Sequence, residues 1–193
     1  MPRRLVILIS GGGSNLQAIL DACAAGSLDA TVAAVISNKR DAFGLERARN
    51  AGVPAISHPR PLDLDRRAYD ARLAELVASY EPDFIVLAGW MRLLSNDFLS
   101  RFPGHVINLH PALPGAYPGT DAIARAFADF QQGRVRETGV MVHFVPDEGV
   151  DSGPVIVTET VPILPNDTLE TLTARVHAVE HRLLVTALQG LSR

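Results

Sequence analysis

Short apolar runs alternate along the first half of the chain with segments of helical periodicity. The apolar runs predict strands at residues 5–9, 31–37, 53–57, 84–88 and 106–109. The segments between them predict helices at residues 15–24, 44–51 and 66–79. The run at 84–88 is continuously apolar, as expected of a strand whose two faces are both covered. The alternation therefore predicts an α/β fold in three layers, with helices on both faces of a mostly parallel, twisted sheet.

The pattern changes in the second half. Three prolines and two glycines predict a loop at residues 110–120, and a helix follows at 122–132. Strands are predicted at 140–145 and 155–161, on either side of an acidic turn at residues 146–154. A capping box at residues 167–170 predicts a long helix that ends near Leu188. No repeat, low-complexity tract or linker interrupts the pattern, so a single domain is predicted over residues 1–193.

Composition and charge exclude several classes of protein. There are 18 basic and 21 acidic residues, and this balance argues against nucleic-acid binding as the main function. The single cysteine, Cys23, excludes an internal disulfide and a multi-cysteine metal site. No apolar run approaches the ~18 residues of a membrane span. The apolar run after Arg3 and Arg4 is too short for a signal peptide, so it predicts a buried first strand of a cytoplasmic protein.

A glycine loop, residues 10–15 with the sequence Ser-Gly-Gly-Gly-Ser-Asn, joins the first strand to the first helix. Its backbone N–H groups and the helix N-terminus favour a phosphate. It is not a Walker A loop, because no Gly-Lys-Ser/Thr follows, and Leu16 replaces the third glycine of a dinucleotide fingerprint. A phosphate monoester is therefore the favoured ligand, and a tight turn that binds nothing remains the alternative.

A second group of polar residues follows the fifth strand. Asn108 and His110 lie two residues apart, so their side chains point to the same side. An Asn amide can donate to a developing oxyanion, and a His can exchange a proton near neutral pH. The acidic turn carries Asp147, Glu148 and Asp151, and one of these carboxylates could orient an imidazole. A packing histidine and a solvated turn are the alternatives.

Taken together, these segments resemble the phosphoribosylglycinamide formyltransferase family of folate-dependent enzymes. The resemblance rests on residues 9–19, 37–39, 44–48, 87–94, 108–111 and 142–145 and extends from Leu5 to about Leu188. The Asn-x-His-Pro motif is shared by all formyltransferases of this kind, whereas the Ser-Gly-x-Gly-Ser-Asn start is specific to the purine enzyme. Residues 112–115 depart from the common Ser-Leu-Leu-Pro, with an effect that the sequence leaves open.

The resemblance implies a Rossmann-like formyltransferase fold and a reaction. A formyl group would pass from 10-formyltetrahydrofolate, a co-substrate, to the amine of N1-(5-phospho-D-ribosyl)glycinamide in de novo purine synthesis. Residues 1–105 would form a phosphoribosyl-binding half, and residues 106–193 a catalytic and folate-binding half. The implied enzyme is a cytoplasmic monomer or homodimer that acts on small molecules and uses no metal, nucleic acid or membrane.

Site residues also follow from the resemblance. Asn108 and His110 would stabilise the oxyanion and relay protons, while Asp151 would keep His110 in its useful charge state. Asp147 remains the alternative to Asp151. The residues expected to bind the phosphoribosylglycinamide are Gly13, Ser14, Asn15 and Glu180. The residues expected to bind the folate are Arg66, Met91, Arg92, Leu93, Leu94, Asn108 and Asp147.

Four other functions compete with this interpretation. Residues 177–181 match the His-x-x-Glu-His pattern of a zinc-peptidase helix, although such a site needs a third ligand. Formyltransferases that act on methionyl-tRNA or amino sugars share the Asn-x-His-Pro motif but normally carry a further C-terminal domain. A hydrolase that passes formyl to water normally carries a regulatory domain. A non-catalytic phosphosugar-binding module would not need Asn108, His110 and Asp151 together.

Overall fold

A seven-stranded sheet organises the computed structural model, which describes residues 1–191. The last two positions of the predicted domain, 192 and 193, lie outside the described residues. The strands are β1 Arg3–Ile9, β2 Ala30–Ser37, β3 Ala55–Ser57, β4 Phe84–Leu87, β5 Val106–His110, β6 Glu137–Phe144 and β7 Val155–Pro162. The helices are α1 Ser14–Ala24, α2 Phe43–Asn50, α3 Arg66–Ala78, α4 Asn96–Leu99, α5 Ala122–Gln131 and α6 Leu169–Gly190. No helix among these is long and apolar enough to cross a bilayer.

The strand order is β3-β2-β1-β4-β5-β6-β7. The pairs from β3 to β5 are parallel, whereas β6 runs antiparallel to β5 and β7 antiparallel to β6. The predicted mostly parallel sheet is therefore confirmed. The order reverses between β1 and β4, and the carboxyl ends of strands at such a reversal open a crevice for ligands. The glycine loop follows β1 at this crevice.

Both faces of the sheet are covered, which explains the continuous apolar runs. Along β1, Leu5, Ile7 and Ile9 face one core, and Val6 and Leu8 face the other. The first core contains the apolar sides of α1 and α6, and the second contains those of α3 and α4. The three-layer α/β prediction is thus confirmed.

Three local predictions need correction. The helix α4 was not predicted, because four residues are too few to show a helical period. The loop predicted at 110–120 starts in the structure at Pro111, one residue later than predicted, because His110 pairs with Met141 and ends β5. The capping box is shifted by one residue: Thr168 is the N-cap and Thr171 is its partner, where Asp167 and Glu170 were expected.

The glycine loop is held by a close contact between two glycines. A Cβ on Gly44 of α2 would lie 2.4 Å from Cδ1 of Ile9 and 3.3 Å from Cα of Gly13. Gly13 has a φ of 71°, a conformation that favours glycine. The Gly44 N–H donates to the Gly11 carbonyl oxygen at 3.0 Å. The start of α2 therefore supports the loop from outside.

The substitution Gly44→Ala is expected to lower the free energy of unfolding by about 1–3 kcal/mol, because the added methyl overpacks the contact with Ile9 and Gly13. Urea denaturation followed by circular dichroism measures the effect. Gly12→Ala is the control, since its Cβ would meet nothing within 4 Å. Equal stability of the Gly44→Ala protein and the wild type would contradict this packing.

Candidate active site

Three polar side chains meet on one face of the sheet near its carboxyl edge. Asn108 and His110 alternate with the core residues Ile107 and Leu109 of β5, so they share the opposite face as predicted. His143 of β6 is the register partner of Asn108. The antiparallel pairing of β5 with β6 therefore adds an imidazole that the sequence analysis did not single out as a site residue.

Asp151 reaches this face from the acidic turn. Its Oδ2 lies 3.2 Å from Nδ1 of His110 and accepts the Gly119 N–H at 2.8 Å. Its Oδ1 accepts from Nδ2 of Asn108 at 3.0 Å. Asp147 instead is exposed and accepts the N–H of Gly149 within the turn. The carboxylate that contacts His110 is therefore that of Asp151, and the question left open by the sequence is answered by geometry.

The backbone of Asp151 is strained. Its φ is 48°, in the left-handed region that residues with a Cβ rarely adopt. Such a conformation costs about 1–3 kcal/mol and persists only where the surroundings over-determine it. The contacts of the carboxylate with Gly119, Asn108 and His110 are part of that constraint.

The two charged groups of the cluster are tuned in opposite ways by their surroundings. Burial lowers the pKa of His110, and the charge of Asp151 opposes that effect by raising it. Burial acts to raise the pKa of Asp151, but hydrogen bonds to its carboxylate, including the one from the Gly119 N–H, outweigh it, so the net pKa lies below the ordinary value. At neutral pH the aspartate is therefore ionised and the His110 ring is neutral.

Two hydrogen-bond acceptors face the His110 ring. Nδ1 faces Asp151, and Nε2 lies 3.1 Å from the carbonyl oxygen of Tyr117. A neutral ring carries one N–H and can donate to only one of these two acceptors. A protonated ring donates to both. His110 is thus a neutral base at rest whose protonated form has two partners already in place.

His143 orients Asn108. Its Nδ1 lies 2.8 Å from the carbonyl oxygen of Phe144, which can only accept, so Nδ1 carries the hydrogen. Nε2 is then an acceptor for Nδ2 of Asn108 at 3.1 Å. Both amide hydrogens of Asn108 are engaged in this way, one by His143 and one by Asp151. Donation to an oxyanion therefore requires one of these bonds to be exchanged.

The predicted phosphate residues lie at the beginning of α1. Gly13 is the N-cap, Ser14 and Asn15 open the helix, and no side chain caps it. The first N–H groups of a helix without a side-chain cap are available to an anion. Nδ2 of Asn15 donates to Oε2 of Glu180 at 3.2 Å, so the structure joins these two predicted residues. Burial raises the pKa of Glu180.

A cation beside the loop was not predicted. Arg47 of α2 donates from Nε to the Gly12 carbonyl oxygen at 2.8 Å and from Nη1 to Gln17 at 3.0 Å. No sequence signal distinguishes this arginine from others on exposed helix faces. Its charge nevertheless lies next to the predicted phosphate position.

The predicted folate strip, residues 91–94, is divided by the structure. Met91 and Leu93 are 67% and 50% exposed, whereas Leu94 belongs to the core. Arg92 stacks its guanidinium over the ring of Tyr69 at 5.4 Å. The Met91 N–H donates to Oγ of Ser10 at 2.8 Å, which ties the strip to the end of β1. Only the exposed residues of the strip can offer side-chain surface to a ligand.

Arg66 begins α3 and forms an ion pair with Glu148 of the acidic turn. This contact places Arg66 beside the same turn that carries Asp147 and Asp151. Arg66 and Asp147, which were both predicted to bind the folate, are therefore neighbours, although Arg66 already has an anionic partner in Glu148.

The zinc-peptidase alternative gains no support from the geometry. Among the described residues no group of three or more His, Cys, Asp or Glu side chains is arranged to hold a metal ion. Glu180 points to Asn15, and His177 is exposed.

Comparisons with known proteins agree on one family. Residues 3–188 match the formyl transferase family. A protein of Schizosaccharomyces pombe named phosphoribosylglycinamide formyltransferase is 46% identical over 200 residues, which cover 97% of this chain and 96% of that one. The Escherichia coli protein of the same name is 46% identical over 179 residues, which cover 93% of this chain and 82% of the other.

Solved structures show the same likeness. The crystal structure of glycinamide ribonucleotide transformylase 1 from Symbiobacterium toebii superimposes with a TM-score of 0.91 at 45% identity, covering 97% of this chain and 86% of that one. The corresponding structure from Geobacillus kaustophilus gives a TM-score of 0.90 at 41% identity and covers 98% of both chains.

The substitution Asp151→Asn is expected to lower the pKa of His110 further, because the negative charge that opposes the effect of burial is removed. Titration of the His110 ring protons by NMR measures the shift. The substitution Asp147→Asn should leave this pKa unchanged, since that carboxylate bonds within its own turn. A larger shift from Asp147→Asn than from Asp151→Asn would contradict the assignment.

Proposed function

This chain belongs to the formyl transferase family, and we propose that it takes the formyl group from 10-formyltetrahydrofolate and uses Asn108, His110 and Asp151 to transfer it. It is an enzyme with phosphoribosylglycinamide formyltransferase activity, which serves purine biosynthesis. The observation that carries the proposed site is the cluster of these three side chains at the carboxyl edge of the sheet. The glycine loop precedes these three residues in the chain. The acidic turn supplies the carboxylate of Asp151.

The proposed chemistry begins when the substrate amine attacks the formyl carbon. A C–N bond forms, the carbonyl oxygen becomes an oxyanion, and the attacking nitrogen becomes positively charged and must lose one of its protons. The amide of Asn108 exchanges its bond to Asp151 for one to the oxyanion. A hydrogen-bond donor to an oxyanion contributes about 3 kcal/mol to lowering the barrier, and the broken bond to Asp151 offsets part of this gain.

Proton transfer completes the reaction. Neutral His110 takes the proton of the attacking nitrogen at Nε2, which exchanges its contact with the Tyr117 carbonyl oxygen for the substrate, and Asp151 at Nδ1 stabilises the protonated ring. The proton is returned to the folate nitrogen as the bond from that nitrogen to the formyl carbon breaks. General acid–base catalysis by a positioned imidazole contributes about 10²–10⁴-fold. We propose no metal in any of these steps.

The phosphoribosyl end of the acceptor is proposed to lie at the start of α1. The backbone N–H groups of Gly13, Ser14 and Asn15 would hold the phosphate, with Arg47 beside them. Glu180 and Asn15 would contact the ribose side. In this arrangement the acceptor site draws on residues from both proposed halves of the domain, 1–105 and 106–193.

The donor is proposed to lie between the strip and the acidic turn. Met91 and Leu93 offer exposed apolar surface for the flat faces of a pterin. Buried Leu94 would act through its backbone, and Arg92 is held by its contact with Tyr69. Arg66 and Asp147 would contact the donor from α3 and from the turn.

The remaining expectations are kept as proposals. The acidic net charge of −3 supports small-molecule substrates over nucleic acid. The cytoplasm is kept as the proposed site of action. A monomer or a homodimer is the proposed assembly, and analytical ultracentrifugation distinguishes the two.

The wild-type protein is expected to consume 10-formyltetrahydrofolate in the presence of phosphoribosylglycinamide. The absorbance change of the folate measures this reaction. The substitution Asp151→Asn should lower kcat by about 10²–10⁴-fold, because the protonated form of His110 loses its anionic partner. Binding of the ribonucleotide, measured by calorimetry, should stay within about twofold, since the phosphate site lies at the start of α1.

Glu159→Gln is the matched control for Asp151→Asn, because it neutralises a carboxylate that pairs with Arg182 at the surface. This variant should retain wild-type turnover. Absence of turnover by the wild type at high protein concentration would refute the proposed reaction. A loss of kcat from Asp147→Asn as severe as that from Asp151→Asn would refute the assignment of the carboxylate.

A further inference from the structure

The acidic turn must hold Asp151 in place although most of its side chains are exposed. The turn joins β6 to β7, and Asp151 stands in it with a φ of 48°. The contact that Asp147 makes, with Gly149, stays inside the turn. The base of the turn is closed by the Phe144 N–H, which donates to the Pro154 carbonyl oxygen at 2.9 Å, whereas the residues between them are exposed or half-buried.

Glu148 joins the turn to two helices. One of its carboxylate oxygens pairs with the guanidinium of Arg66 at the beginning of α3. The other accepts the backbone N–H of Asn96 at the beginning of α4 at 3.0 Å. Both side chains of the ion pair are about one-third exposed, at 36% each. A single carboxylate therefore anchors the turn at a point three residues before Asp151.

The anchoring point is itself well supported. The Ser95 N–H, next to Asn96, donates to the buried carboxylate of Asp70 at 2.7 Å. Asp97 pairs with Arg67, the second residue of α3, at 2.7 Å. The start of α4 is thus held against α3 by these two contacts, so Glu148 attaches the turn to a point that is itself tied to α3.

We propose that Glu148 is a positioning residue for the formyl transfer: it ties the acidic turn to α3 and α4 and thereby keeps the carboxylate of Asp151 on His110 and Asn108. The proposal rests on the proposed function for its kinetic consequence. Its structural consequence, the distance from Asp151 to His110, concerns the free protein. Glu148 itself touches neither His110 nor Asn108 in the contacts described, so its effect passes through Asp151.

The experiment compares Glu148→Ala with Glu148→Gln. The alanine variant loses both anchors, whereas the glutamine variant keeps an oxygen for the Asn96 N–H and loses the ion pair. We expect kcat to fall by about 10–100-fold in Glu148→Ala, as a displacement of about 1 Å would cause, and by less in Glu148→Gln. The KM for the ribonucleotide should change by less than about twofold, because the start of α1 is untouched.

Two further measurements separate positioning from a general loss of stability. The pKa of His110 in Glu148→Ala, titrated by NMR without substrates, should fall towards its value in Asp151→Asn. The double variant Glu148→Ala/Asp151→Asn should be no slower than Asp151→Asn alone, since two residues that act through one contact do not give additive losses. Glu159→Ala, which removes a surface carboxylate with a similar exposure of 35% from its pair with Arg182, is the matched control and should leave kcat and the pKa of His110 unchanged.

The outcomes discriminate between the two proposals. An unchanged pKa of His110 in Glu148→Ala, or kinetic losses that multiply in the double variant, would overturn the positioning role. Failure of the wild type to transfer formyl would overturn the proposed function, and the titration in the free protein would still decide the role of Glu148.

Discussion

The carboxylate of Asp151 is the group at which three segments of the site make contact. It accepts from Gly119 in the loop after β5, from Asn108 on that strand, and lies against His110, while its own residue belongs to the turn before β7. Because the group is largely buried and ionised, every lone pair left unsatisfied would be costly. The loop, the strand and the turn must therefore reach their positions together, and the strained backbone of Asp151 is maintained by that mutual requirement.

The topology of the sheet determines which segments surround the Asp151 carboxylate. The parallel strands deliver the glycine loop and the strip to the carboxyl edge, as their topology demands. The antiparallel strand β6 starts at this edge and ends beside the start of β5, so His143 lies next to Asn108, and the acidic turn that follows folds back over the face towards His110. The mixed sheet thus lets two sequence-distant segments share one side of the crevice.

The pattern of hydrophobic and polar positions predicts much of the fold, but it predicts less of the site. The strands were predictable because Leu5, Ile7 and Val6 alternate between two apolar cores, which makes their run continuous. Asn108 and His110 could be placed together by strand alternation alone. The choice of Asp151 over Asp147 could not be derived, because it depends on how a turn folds back across two strands. His143 was missed because its significance comes from the register of β6 against β5.

The bond between Asn15 and Glu180 joins residues 165 positions apart in the chain. During synthesis on the ribosome, the glycine loop emerges early, and its partner on α6 appears only when nearly all of the described chain has been made. α6 also covers α1 and lends its apolar face to the first core. The nascent chain can therefore form its parallel strands before the contact between Asn15 and Glu180 exists. The surroundings of the glycine loop are therefore completed by a helix that is made more than 150 residues later.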